Sequence, residues 1–173
     1  MTTTSASTAP GSTTPASTSP GSTRSYDATL ALCATGLLAA FNQAGILTAA
    51  DAHVARRLGR LGGETDEAVL LAAALVVRST RHGSVVLDLA TAEATTSPDV
   101  DEEAGAVAVA DAPLAWPADW VTRVAASPLV GGGDDRPGGP LRLQGSRLWL
   151  VRYWDQEQQV ATELLDRSGA EPG

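Results

Sequence analysis

Pro140-Leu-Arg-Leu-Gln-Gly-Ser-Arg-Leu-Trp-Leu-Val-Arg-Tyr-Trp154 decides how the second half of this chain folds. Leu141–Gln144 and Arg147–Val151 flank Gly145-Ser146, a two-residue hairpin turn of the glycine-first type. That register sets Leu143 opposite Leu148 and Leu141 opposite Leu150 on one face. Arg142 then lies across from Trp149 on the other face, a cation–π pair in expectation. Beyond the hairpin the apolar period changes from two to 3.6. Tyr153, Trp154, Val160, Ala161, Leu164 and Leu165 share one stripe of a helix expected from Tyr153 to Arg167. Glu157 interrupts that stripe, with no carboxylate or histidine at a spacing that would make it a catalytic acid.

Upstream, the uncharged stretch Ala28–Ala50 is long enough to suggest a membrane span. It is mostly Ala, Thr and Gly, however, and Asn42, Gln43 and Gly45 interrupt it, so a buried helix from Asp27 to about Gln43 is expected instead. Cys33 falls within it as a small buried hydrophobe. A second helix opens at Thr48 with Asp51 as capping-box partner and stops at Gly62-Gly63. Val54, Leu58 and Leu61 are expected on its apolar side, with Arg56, Arg57 and Arg60 on a solvated face that is also a candidate interaction patch. A third begins after Thr65 and runs through Ala68-Val-Leu-Leu-Ala-Ala-Ala-Leu-Val-Val77 to about Arg81. Apolar all round, it belongs at the centre of a bundle. Gly83 ends it, and Ser84–Leu89 reads as a strand. Pro117 opens a short helix carrying Trp120 and Val124, which Ser127-Pro128 closes.

Composition excludes several chemistries. The 173 residues carry 12 basic and 20 acidic side chains, for a formal charge of −8, and every base is arginine. Without lysine there is no phosphate loop, Schiff base or serine–lysine dyad. One cysteine with His53 and His82 cannot build a four-ligand Cys/His zinc site or a disulfide framework. His53 sits beside arginines and His82 at a helix C-terminus, both structural positions. The window Asp88–Asp119 holds eight acids and no base, so residues 91–112 are expected to form a solvated acidic loop. Its Asp99, Asp101 and Glu103 fail as a calcium loop because Gly105 falls one place late and Ala110 stands at position 12. The loop 131–140 is glycine-rich, but Asp134-Asp135 would repel a phosphate. Residues 2–23 contain only Ser, Thr, Ala, Pro and Gly, and the expectation is a disordered tail over residues 1–26. A glycosylated stalk is the alternative for that tail. No export signal precedes it, and cytoplasm is the expected compartment.

Three stretches together resemble the N-terminal domain of the exodeoxyribonuclease V alpha subunit, RecD, in an arginine-rich, actinobacterial-looking version. They are Glu67–Val77 followed by Gly83-Ser-Val-Val-Leu87, then Ser127-Pro-Leu-Val130, and most specifically Pro140–Trp154 with Glu157 and Val160. Where many relatives have Gly-His at the strand entry, this chain has Gly83-Ser84. The resemblance spans about residues 28–167, roughly the first quarter of a RecD chain. It implies a small helical domain that docks against a RecC-like gamma subunit and, through the complex, joins a RecB-like beta subunit. DNA would be met only indirectly. ATP and Mg, with the 5′–3′ helicase activity, would belong to helicase domains absent here.

The expected architecture is therefore α+β and mainly α: about five helices over residues 27–168, a three-stranded antiparallel patch made of one strand plus the hairpin, and a short tail at 169–173. The expected function is a non-catalytic assembly module of a RecBCD-type helicase–nuclease. A stand-alone regulatory adaptor with no DNA-processing role is the alternative. No catalytic, cofactor or metal residue is expected. The two candidate partner faces are Arg56/Arg57/Arg60 and Arg142/Trp149.

Overall fold

The computed structural model describes residues 1–2, 34–99, 113–131 and 138–169. The expectations for the tail, Cys33, the acidic segment 100–112, the loop interior 132–137 and residues 170–173 lie outside the described residues. Among those described, the elements are α1 (Gly36–Gln43), α2 (Ala49–Gly62), α3 (Glu67–Arg81), β1 (Val86–Asp88), α4 (Ala92–Thr95), α5 (Trp120–Ala126), β2 (Val130–Gly131), β3 (Leu141–Gln144), β4 (Arg147–Leu150) and α6 (Val151–Gly169). The α+β, mainly helical expectation holds.

The fold is organised around α3. Ala68, Val69, Leu71, Ala72, Ala73, Ala74, Leu75 and Val76 are all buried, because α1, α2 and α5 pack on it together with β1 and β4. Phe41, Leu129, Leu141 and Leu148 complete the same core, each fully buried. Asp66 caps α3 by accepting the Ala68 N–H at 2.8 Å. The same carboxylate takes a two-pronged bond from Arg123 of α5, at 2.8 and 2.5 Å. Burial pushes Asp66 up, but the bonds from Arg123 and the helix N–H groups outweigh it and hold its pKa below the ordinary value. Trp120 of α5 donates its indole N–H to the Ala68 carbonyl at 2.7 Å. Trp116 bridges Phe41 and Trp120 with tilted and edge-on ring contacts.

Among the described residues the first helix starts later than expected, and the part of that expectation at 27–33 lies outside them. Thr35 is extended and Gly36 is left-handed at φ 56°, so α1 begins at Gly36 rather than as a continuation from Asp27. Tertiary packing is the reason. The Glu67 carboxylate at the tip of α3 occupies the space a Cβ at position 36 would fill, and it accepts the Leu37 N–H at 3.3 Å. The capping box of α2 forms as read, with Thr48 and Asp51 bonding reciprocally. The inward face of α2 does so only in part, with Leu58 packed against the core as read. Ala52, Ala55 and Gly59 are buried, while Val54 is 41% and Leu61 70% exposed. A Cβ on Gly59 would fall 2.5 Å from the Leu70 side chain, so small residues allow α2 and α3 to lie close together, while Val54 and Leu61 turn outward.

The sheet is four-stranded and mixed, in the order β1-β4-β3-β2. The hairpin pairs as expected, Leu143 with Leu148, Leu141 with Leu150 and Arg142 with Trp149, about a Gly145 at φ 59°. β1 adds antiparallel to β4. The expected three-stranded antiparallel patch is corrected by β2, which pairs parallel to β3 through Val130–Leu141 and Gly131–Arg142. Gly131 and Gly139 make this possible, since a side chain on either would strike the opposing backbone. The acidic window is also not wholly loop: residues 92–95 form α4, and Asp99 is held by Arg78 and Arg81 of α3.

Candidate functional site

Two clusters of functional groups take shape in this scaffold. The first is ionic. Arg78 donates through Nε to the Ile46 carbonyl at 2.8 Å and through its terminal nitrogen to the Ser97 carbonyl and Asp99 at 2.7 and 2.5 Å. Arg81 joins Asp99 at 2.9 Å to buried Asp51 at 3.0 Å, and the His82 ring lies 3.0 Å from Asp99. Burial pushes Asp99 up, but the bonds from Arg81 and Arg78 prevail and hold its carboxyl below the usual range. Both carboxylate oxygens of Asp99 are engaged, so the cluster ties residues 97–99 to α3 and to the α1–α2 turn. It is a clasp between elements of the fold.

The second cluster lies where the hairpin passes into α6. β4 ends at Leu150 and α6 begins at Val151, with no connecting residue. Leu141 and Leu148 point from the sheet toward α3, and Arg142 and Trp149 point the other way. There, Trp154 from the first turns of α6 sits edge-on to Trp149 with ring centroids 4.9 Å apart. The expected Arg142–Trp149 cation–π pair is replaced: the Arg142 guanidinium lies 6.0 Å from the Trp154 ring instead. Because Trp154 covers it, Trp149 is only 5% exposed and is not a free contact residue. Arg142 Nε and Trp149 Nε1 are both buried with no hydrogen-bond partner among the described residues.

From Asp155 to Ser168 every residue of α6 is exposed. Val160, Leu164 and Leu165, at 56%, 60% and 71% exposure, therefore form an apolar stripe that nothing described covers. The stripe borders a shallow groove of about 350 Å³, lined by Val85 before β1 and by Tyr153, Glu157, Val160 and Leu164. Sequence periodicity identifies the stripe, yet not its exposure, since an amphipathic helix ordinarily turns such a face to its own core. Of the other candidate patch the structure gives the exposure. Arg57 and Arg60 are exposed and Arg56 is half-buried on α2, beside exposed His53, Val54 and Leu61. The two patches thus present apolar side chains with opposite charges among them. Among the described residues, no helix is long and apolar enough to cross a membrane.

Comparisons with known proteins identify the family to which the chain is similar. Residues 43–149 match the family described as RecBCD enzyme subunit RecD, N-terminal domain. The chain is 44% identical over 140 residues to the RecBCD enzyme subunit RecD of Mycobacterium tuberculosis H37Rv, covering 80% of this chain and 22% of that protein. A similar match, 44% over 137 residues, relates it to the RecBCD enzyme subunit RecD of Mycolicibacterium smegmatis, covering 79% and 22%. The chain thus spans about a fifth of the length of the curated relatives it matches.

Proposed function

The chain belongs to the family of RecD N-terminal domains, and from that premise we propose that it is a non-catalytic assembly module of a RecBCD-type complex acting in DNA repair and recombination. Its partner in this reading is the gamma subunit, RecC-like, with the RecB-like beta subunit and DNA reached only through the complex, in the cytoplasm. ATP and Mg belong to helicase domains outside this chain.

One observation carries the docking reading. The first turns of α6 complete the domain by covering Trp149, while the rest of that helix holds Val160, Leu164 and Leu165 in solvent. Burying one such side chain is worth roughly 1.5–3 kcal/mol, so a stripe of three is a strong incentive for a partner helix or groove. The lysine-free sequence, with no phosphate loop, supports a role in binding rather than in hydrolysis.

Co-purification of the 173-residue chain with the gamma subunit of the same organism tests this. A stable complex is expected. No retention in a pull-down where the full-length RecD subunit is retained would overturn the docking role and leave a stand-alone adaptor as the better reading.

A further inference from the structure

The α6 stripe has a carboxylate in its middle. On a helical projection Tyr153, Val160 and Leu164 fall within one narrow arc, and Glu157 lies between them and Ala161, Trp154 and Leu165. Glu157 is exposed and lines the groove beside Val85, and no hydrogen bond or ion pair engages it among the described residues. An occupant that buried the stripe with apolar groups alone would strand that charge in a dry interface, which is strongly unfavourable.

The neighbouring sheet edge narrows the shape of the occupant. β1 is an outer strand, but it is three residues long, and the Ser84 hydroxyl already donates to the Val86 carbonyl and accepts the Val86 N–H. That edge is blunted against an added strand. A helix laid along α6 can use the i, i+3, i+4 and i+7 positions on both sides.

Resting on the docking reading above, we propose that the α6 groove takes a helix of the gamma subunit whose apolar face carries an arginine or lysine, paired with Glu157. Arginine is the better fit, because its guanidinium bonds a carboxylate in two places and is the more weakly hydrated cation. Glu157 is then the residue that selects the partner, and Val160, Leu164 and Leu165 supply the contact area.

The test measures the affinity of the full chain for the gamma subunit in four forms: unchanged, Leu164→Asp, Glu157→Arg and Asp166→Arg. Asp166 lies on the opposite side of α6 and makes the same change in charge. All three positions are exposed, so thermal melting should be unaltered. Leu164→Asp and Glu157→Arg are each expected to weaken binding about 30-fold or more, and Asp166→Arg by less than about threefold. Equal losses from Glu157→Arg and Asp166→Arg would reduce the effect to bulk charge and overturn the inference. So would a loss confined to Leu164→Asp, although the docking face would then stand. If none of the three variants weakens a complex that forms, α6 is not the docking face, and the inference falls with it. If the unchanged chain binds no gamma subunit, the docking reading itself has failed. The basic, apolar face of α2 suggests the remaining occupant, a second copy of this chain. Self-association in sedimentation that Leu164→Asp abolishes would overturn the proposal in favour of that copy.

Discussion

Helices α3 and α6 are both long and amphipathic or better, yet the fold treats them oppositely. α3 is enclosed from every side, and its polar ends are fastened by Asp66–Arg123 at one end and the Arg78/Arg81–Asp99 clasp at the other. Among the described residues α6 is attached mainly at its root, through Trp154 on Trp149, and packs chiefly on β3 and β4. Apolar side chains are thus consumed by folding in the first helix and left over in the second. Hydrophobicity alone does not distinguish the two roles; position relative to α1, α2, α5 and the sheet does.

The sharpest way to break this comparison is truncation in each helix. Leu71→Ala removes a fully buried side chain from the centre of α3, and chemical denaturation is expected to show a loss of about 3–5 kcal/mol. A loss below 1 kcal/mol would mean that α3 is not the organising element. Next in size is the clasp. Asp99→Asn should cost about 1 kcal/mol, a figure kept small because the Arg81 side chain is 39% exposed. Since the folded-state pKa of Asp99 lies below its ordinary 3.8, its contribution is fully present above that value and fades as pH falls through the lowered one. A melting profile from pH 5 down to 2 should therefore show acid destabilisation below the ordinary carboxylate value that is blunted in Asp99→Asn. Trp149→Phe is milder still, under about 1 kcal/mol, because the deleted N–H is a buried donor without a partner among the described residues. Smallest of all is Leu164→Ala, expected to leave stability within about 0.5 kcal/mol while weakening partner binding. A large loss of stability there would show that α6 folds back on the domain.

Features governed by neighbours in sequence were legible before the structure. The Thr48–Asp51 capping box and the hairpin register follow from local hydrogen bonding and alternation, and both form as expected. The misreadings share a different origin. β2 depends on two glycines meeting across the loop, the start of α1 on Glu67 arriving from α3, and the inner face of α2 on close approach at Gly59. Each is decided by a residue distant in the chain. Of the candidate site, Arg57 and Arg60 were placed correctly on an exposed face. Arg142 was paired with the wrong tryptophan, since nothing local fixes the angle at which α6 leaves the sheet. The α6 stripe was read as a stripe but not as an exposed surface.

The direct passage from Leu150 into Val151 has a mechanical side. With no loop between them, α6 is a rigid arm about 28 Å long bolted to the hairpin. A tilt of about 10° at the root swings its far end by roughly 5 Å, about the height of one helical turn. A partner that held Leu164 and Leu165 would therefore sense the attitude of the sheet beneath, and a push on the arm would be felt at the layer of Leu141 and Leu148 that closes over α3.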